Sequence, residues 1–139
     1  MEERFADSNY WIALFDPDDF LHIRAIEIAA QLPAFARVIT SDFVIIEVLN
    51  ALSGDTREIK QKAIQLFEHS SLSSSLDVVR WSRELFERAK TLYLRADKSW
   101  SIVDCSSFVI MRERGIRDAL TYDRHFQQAG FRALLRQDG

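Results

Sequence analysis

The sequence has one cysteine, two prolines, three histidines and four glycines in 139 residues, and each scarcity removes a class of protein. Cys105 alone cannot form an internal disulfide, so the fold is not stapled and a reducing cytoplasm is the simplest expected home. So little Pro and Gly leaves no material for long linkers, and disordered or fibrous structure is excluded. His22, His69 and His125 show no paired ligand spacing, which with a single thiol makes a zinc centre a poor expectation. Histidines so isolated are more often surface or packing groups. No apolar run approaches the ~20 residues of a membrane span. The start, Met-Glu-Glu-Arg, lacks the basic region and long apolar run of a signal peptide.

What the chain does have is an ordinary globular balance, with 47% hydrophobic and 28% charged residues. That length and balance predict a single domain over residues 1–139 built around one core. The net charge of −3 argues against a polyanionic partner, but it averages two unlike regions. Residues 1–94 carry 10 basic and 15 acidic side chains, whereas residues 95–139 carry 8 and 6. Arg112, Arg114, Arg117, Arg124, Arg132 and Arg136 make the last third Arg-rich, as either a solvated face or a phosphate-binding one.

Apolar periodicity alternates short extended runs with amphipathic stretches. A brief strand ends near Asp7, and a helix follows over Ser8–Phe15. Asp18 or Asp19 caps a second helix that Pro33 stops at Leu32. A strand at Arg37–Thr40 leads to a helix capped by Ser41 or Asp42 and ended by Gly54. Further helices are expected over Thr56–Ser70, Ser82–Ala96 and Ser101–Arg114, the last closed by Gly115. Ser70–Ser75 reads as a turn, and Leu76–Val79 as a weak strand. Ala119–Thr121 and Phe131–Leu135 read as strands around a short helix beginning near Asp123. Strands separated by helices imply a parallel sheet, so the predicted class is α/β.

Four acids stand out. Asp7 either begins a helix or closes a strand in a turn, and Asp123 is equally good as an N-cap. Asp104, three residues after Ser101, fits a variant capping box as well as a functional site. Glu47 has no such explanation, since it lies more than a turn inside a helix among Val44, Ile45, Ile46, Val48 and Leu49. A carboxylate in so apolar a stretch must face solvent or a polar cleft. On a parallel sheet the segments carrying all four leave or enter helices at the carboxyl edge, where ligand crevices form. Crowded carboxylates repel, and a hard divalent cation such as Mg²⁺ is their natural partner.

The same residues sit in familiar surroundings. These are Phe5-Ala6-Asp7-Ser8 before Trp11-Ile12-Ala13-Leu14, Thr40-Ser41-Asp42-Phe43 before Glu47, Trp100-Ser101-Ile102-Val103-Asp104-Cys105-Ser106-Ser107-Phe108, and Ala119-Leu120-Thr121-Tyr122-Asp123-Arg124-His125-Phe126 before Gly130-Phe131. Over essentially its whole length the chain resembles the PIN-domain family, and within it the VapC-type toxins of prokaryotic toxin–antitoxin modules. The resemblance implies a three-layer α/β/α sandwich and a ribonuclease using Mg²⁺ or Mn²⁺. It makes Asp7, Glu47, Asp104 and Asp123 the catalytic, metal-binding acids, with Ser8 or Thr121 as polar support. It also implies RNA products ending in 5′-phosphate and 3′-hydroxyl, and a small antitoxin as partner. Trp11, Phe15, Phe20 and Trp100 are more aromatic surface than one small core needs, which adds an expected protein contact or homodimer. Arg112, Arg114 and Arg124 are candidates to hold the RNA backbone.

Two other readings use the same features. A phosphoacceptor signalling domain needs a Lys after a late strand, and the last Lys here is Lys98, ahead of the final two strands. A catalytically inactive PIN-fold module that only binds RNA or protein normally loses acids, and this chain keeps all four.

Overall fold

The computed structural model describes residues 2–69 and 75–136. Most of the expected Ser70–Ser75 turn therefore lies outside the described residues. In chain order the elements are β1 (Glu3–Ala6), α1 (Ser8–Phe15), α2 (His22–Gln31), β2 (Arg37–Ser41), α3 (Asp42–Ala51), a 3₁₀ turn (Leu52–Gly54) and α4 (Arg57–Glu68). They continue with β3 (Leu76–Val79), α5 (Arg83–Arg95), α6 (Ile102–Arg114), β4 (Asp118–Leu120), α7 (Arg124–Gln128) and β5 (Arg132–Ala133). The five strands form one parallel sheet in the order β3-β2-β1-β4-β5, and helices cover it to give a three-layer α/β/α fold.

Strand order fixes where a site can form. From β1 the chain moves outward through β2 to β3, then returns to place β4 on the other side of β1. Phe5 pairs with Ile39 of β2 on one side and Ala119 of β4 on the other, so β1 is central and its order reverses toward β4. A crevice opens beyond the carboxyl ends of strands at such a reversal. The core below it holds Phe5, Ile39, Phe108, Met111, Leu120 and Phe126, all fully buried. Cys105, Ser106 and Ser107 are small enough to bring α6 against this core, and both serine hydroxyls donate to the Val103 carbonyl at 2.6 and 3.0 Å. No buried hydroxyl is then left without a partner there. Cys105 is a free, buried thiol.

At the opposite edge the strand starts are tied by charge. Arg114 Nη2 lies 3.0 Å from Glu3 at the head of β1 and 3.2 Å from Asp77 of β3. Arg37 of β2 reaches the same two acids at 3.8 and 3.4 Å. Arg114 thus serves the amino edge and is not placed to hold a substrate at the carboxyl edge. The same holds for Arg112, in the last turn of a helix running away from that edge.

Local signals succeeded unevenly. Ser41, Thr56 and Ser82 cap α3, α4 and α5 by accepting from Val44, Ile59 and Leu85 amides. Asp42 is not a cap; its carboxylate accepts from the Trp81 amide at 2.7 Å and Arg80 at 3.1 Å. Neither Asp18 nor Asp19 caps α2, which begins only at His22, because Asp19 accepts from the Leu21 amide in a preceding turn. Gly54 ends a 3₁₀ turn without left-handed geometry, and the expected Phe131–Leu135 strand shrinks to Arg132–Ala133. No helix of the described residues is long and apolar enough to cross a membrane.

Gly115 closes α6 at φ +70°, with its amide donating to Arg112 and the Ile116 amide to Met111. Nothing stands within 4 Å of the position a Cβ would take, so the cost of a side chain there is purely conformational. Gly115→Ala is expected to lower unfolding free energy by about 1 kcal/mol in urea titrations, and Gly115→Asn by less. An unchanged midpoint for Gly115→Ala would show that the left-handed cap is not held in solution.

Candidate active site

Asp7 follows directly from the last residue of β1. Its amide donates to the Leu120 carbonyl at 3.1 Å, extending the β1–β4 pairing by one step and anchoring it over the crevice. The side chain is buried, 3% exposed. Thr121 donates its hydroxyl to Asp7 Oδ2 at 2.8 Å, and Asn9 Nδ2 donates to the same oxygen at 3.2 Å. Thr121 Oγ1 also accepts from the Asp123 amide at 3.0 Å, while Asn9 Oδ1 accepts from the Tyr122 amide at 3.0 Å. Two short polar side chains thereby fix the loop after β4 against the loop after β1.

Glu47 arrives from α3 and accepts the Ser8 hydroxyl at 2.6 Å. Its half-buried position beside the first turn of α1 answers the question its apolar surroundings raised. Asp104 closes a complete capping box with Ser101, accepting from the Ser101 amide at 3.1 Å while the Ser101 hydroxyl accepts from the Asp104 amide. Asp123 caps α7 by accepting from the His125 amide at 2.9 Å. The capping readings of Asp104 and Asp123 are therefore correct, and both carboxylates still face one another across His125. His125 Nδ1 lies 2.9 Å from Asp104 Oδ2 and 3.5 Å from Asp123 Oδ1. One atom from each of these three side chains falls within 4.8 Å of the other two.

His125 and Asn9 are the site residues that sequence reasoning missed. Its isolation gives His125 a surface or packing role by sequence, although its position two residues past Asp123, on the first turn of the helix that Asp123 caps, is a usable signal. Asn9 gave none, since its role depends on a contact with residues more than a hundred positions away. Ser8 and Thr121 both support acids, Ser8 on Glu47 and Thr121 on Asp7.

The electrostatics are one-sided. Among the described residues no Lys or Arg forms a salt bridge with Asp7, Glu47, Asp104 or Asp123, and His125 is their one basic partner within that range. Burial pushes the Asp7 carboxyl up to about 7 against the hydrogen bonds from the Ser8 amide and Thr121, and the charges of Glu47 and Asp104 raise it further. An arrangement of hard oxygen donors, one with its pKa raised to about 7 by burial, fits a hard divalent cation with one nitrogen donor to hand.

The sign of the pH dependence follows. An Asp7 carboxyl that binds its proton more tightly folded than unfolded makes the metal-free protein lose stability as pH rises from about 4, with the loss complete just above 7. Asp7→Asn removes this component, so the gap in unfolding free energy between the two proteins should widen across that window by on the order of 4 kcal/mol. Mg²⁺ or Mn²⁺ should restore stability to the parent more strongly as pH rises through 7. Parallel pH profiles for parent and variant would show that Asp7 is ionised and solvated.

The PIN domain family profile matches residues 4–132. The 23S rRNA-specific endonuclease VapC20 of Mycobacterium tuberculosis is 33% identical over 131 residues, covering 91% of this chain and 94% of that protein. The crystal structure of VapC20, described as a sarcin–ricin loop cleaving toxin, superposes with a TM-score of 0.77 at 31% identity over 91% of this chain and 95% of that one. VapBC2 from Rickettsia felis, solved with a promoter DNA fragment, gives 0.62 at 12% identity over 94% and 96%. FitAcB from Neisseria gonorrhoeae gives 0.63 at 14% over 93% and 94%, and these last two similarities speak for the fold alone. With the family profile spanning nearly the whole chain and a relative a third identical along it, this protein belongs to the PIN-domain family.

Proposed function

We propose that the chain, acting as a single nuclease domain over residues 1–139, is a divalent-metal-dependent endoribonuclease and the toxin of a toxin–antitoxin pair. The observation that carries this reading is the gathering of Asp7, Glu47, Asp104 and Asp123 at one sheet edge with no Lys or Arg to neutralise them among the described residues. An inactive binding module has no need to bury Asp7 in such company. The similarity to VapC20 makes structured ribosomal RNA the first substrate to try. The similarity to VapC20, described as a toxin, supports a small antitoxin as partner, and a homodimer and a cytoplasmic location complete the proposal.

Asp104, Asp123 and His125 form the compact donor group, with Asp7 and Glu47 flanking it through Thr121 and Ser8. Asp104, Asp123 and His125 would hold Mg²⁺ or Mn²⁺ there, which would supply the lowered water pKa and the charge stabilisation that phosphodiester hydrolysis requires. The protein's own part is positional. Thr121 sets the spacing between Asp7 and the Asp123 backbone, the capping box fixes Asp104, and Ser8 orients Glu47. Glu47 is half-buried and so accessible as the acceptor of a proton from attacking water. His125, bridging two carboxylates, orients them in the absence of a cation.

RNA cleavage in Mg²⁺ or Mn²⁺ that stops with EDTA is the direct test. Glu47→Gln keeps the size but removes the charge, so cleavage should fall by at least 10–100-fold while the metal-free melting temperature holds or rises as repulsion is relieved. A Glu47→Gln protein that cleaves at the parental rate and is still stabilised by Mg²⁺ would remove Glu47 from the site. Cleavage surviving complete chelation would remove the metal.

A further inference from the structure

A cleft of about 530 Å³ is lined by Phe20, Ile23, Arg24, Glu27, Tyr122 and Arg136. Tyr122 precedes Asp123 in the chain and is held at its amide by Asn9, so the cleft and the acidic cluster share one loop. Arg136 lies over the Tyr122 ring at 4.2 Å and donates to the Tyr122 carbonyl at 2.5 Å. Phe20 meets the same ring edge-on at 5.6 Å, yet remains 79% exposed. Of the four aromatics expected to exceed the needs of the core, Trp11 is buried, Phe15 and Trp100 are half-buried, and Phe20 alone is exposed. A second cleft of about 440 Å³ shares Arg24 and Arg136 and adds Arg4, Gln31 and Arg132.

The described lining of the two clefts holds four arginines and one acid, Glu27, in a chain whose net charge is −3, with Arg4 also pairing with Glu2 at 3.4 Å and Arg132 with Asp118 at 3.0 Å outside the lining. Arg24 is the most telling of them. Among the described residues it has no carboxylate within ion-pair range, its Nη2 reaches only the Leu134 carbonyl at 3.4 Å, and its buried Nε–H has no acceptor. A guanidinium with no carboxylate pair among the described residues keeps its terminal N–H groups as donors for a phosphate oxygen. Arg132 and Arg136, two members of the Arg-rich last third, are placed in this groove, whereas Arg112 and Arg114 are not.

We infer that this groove is the RNA track. A single-stranded segment leaving the scissile phosphate passes over Tyr122, stacks a nucleobase on the open face of Phe20, and carries its flanking phosphates to Arg24 and onward to Arg4 and Arg132. Aromatic faces and arginines along one channel are the combination that holds single-stranded nucleic acid without reading its sequence. The inference rests on the ribonuclease reading for the position of the scissile bond, but the groove's affinity for RNA is measurable without cleavage.

The measurement is fluorescence anisotropy of a short labelled single-stranded RNA in EDTA, with cleavage followed separately in Mg²⁺ or Mn²⁺. Phe20→Ala should weaken binding on the order of tenfold. Arg24→Gln should weaken it and reduce the slope of log affinity against log salt by about one, and Arg24→Lys should restore the slope. In the cleavage assay both losses should fall on KM and leave kcat near the parent, while Leu94→Ala, exposed on α5, should change nothing. Parental RNA affinity in both Phe20→Ala and Arg24→Gln, or no binding by the parent in EDTA, would overturn the track while leaving cleavage intact. So would variants that keep RNA affinity but lose a purified antitoxin, which would make the groove a protein-docking surface. A parent that binds RNA through Phe20 and Arg24 but never cleaves it would instead sink the ribonuclease reading and leave the groove standing.

Discussion

A carboxylic acid is buried at the end of the central strand, and much of the molecule is arranged to keep it there. Asp7 has its amide in the β1–β4 ladder and its side chain under Thr121 and Asn9. Desolvating a carboxylate without a cation costs free energy, which is why its proton is held to about pH 7. The surrounding hydrogen bonds reduce that cost but do not cancel it. A structure that keeps such a group through folding is poised for a cation, and the binding of one would stabilise the fold as well as assemble the site.

Charge is distributed by edge and face. At the amino edge Glu3 and Asp77 are matched by Arg37 and Arg114, so the strand starts are held without net charge. At the carboxyl edge the acids are left to one another and to His125. Along the groove through α2 and β5 the arginines dominate. Bulk net charge, which on its own argued against a polyanionic partner, describes none of these three regions. An acidic reaction centre repels a phosphodiester until a cation is bound, and a basic groove beside it offers the attraction the centre lacks.

Much of the fold was legible because its signals are local. Ser41, Thr56, Ser82 and Gly115 each set a helix boundary through contacts within a few residues, and those boundaries were right. The carboxyl-edge convergence of the four acids was also readable, because a parallel sheet places every strand end on one side. What failed was whatever depends on tertiary partners. Asp42 looks like a cap but is drawn off by Arg80 and Trp81, thirty-eight and thirty-nine positions away. Asp19 is used within its own turn, and β5, two residues long, pairs only with the three-residue β4. Arg112, Arg114 and Arg124 could not be told apart by sequence, since which edge a helix end reaches depends on the sheet beneath it. His125 was lost to a general rule about isolated histidines that its closeness to Asp123 should have overridden.

At Asp104 and Asp123 capping and site chemistry are not rivals, and the geometry shows why. A carboxylate has two oxygens and about four lone-pair directions, so accepting one or two hydrogen bonds leaves room for more. At Asp104 both the Ser101 amide and His125 fall on Oδ2; at Asp123 the helix cap and His125 fall on Oδ1. The cap fixes the rotamer, and the fixed rotamer aims the charge. Holding these carboxylates by bonds that helix ends require in any case adds no buried polar group and little strain to the fold. It also makes Asn a sharper probe than Ala at these positions, because the amide oxygen can still accept the capping hydrogen bond while the charge is gone. Where a site is built on helix ends, loss of function on Asp→Asn with the helix intact is what separates the ligand from the cap.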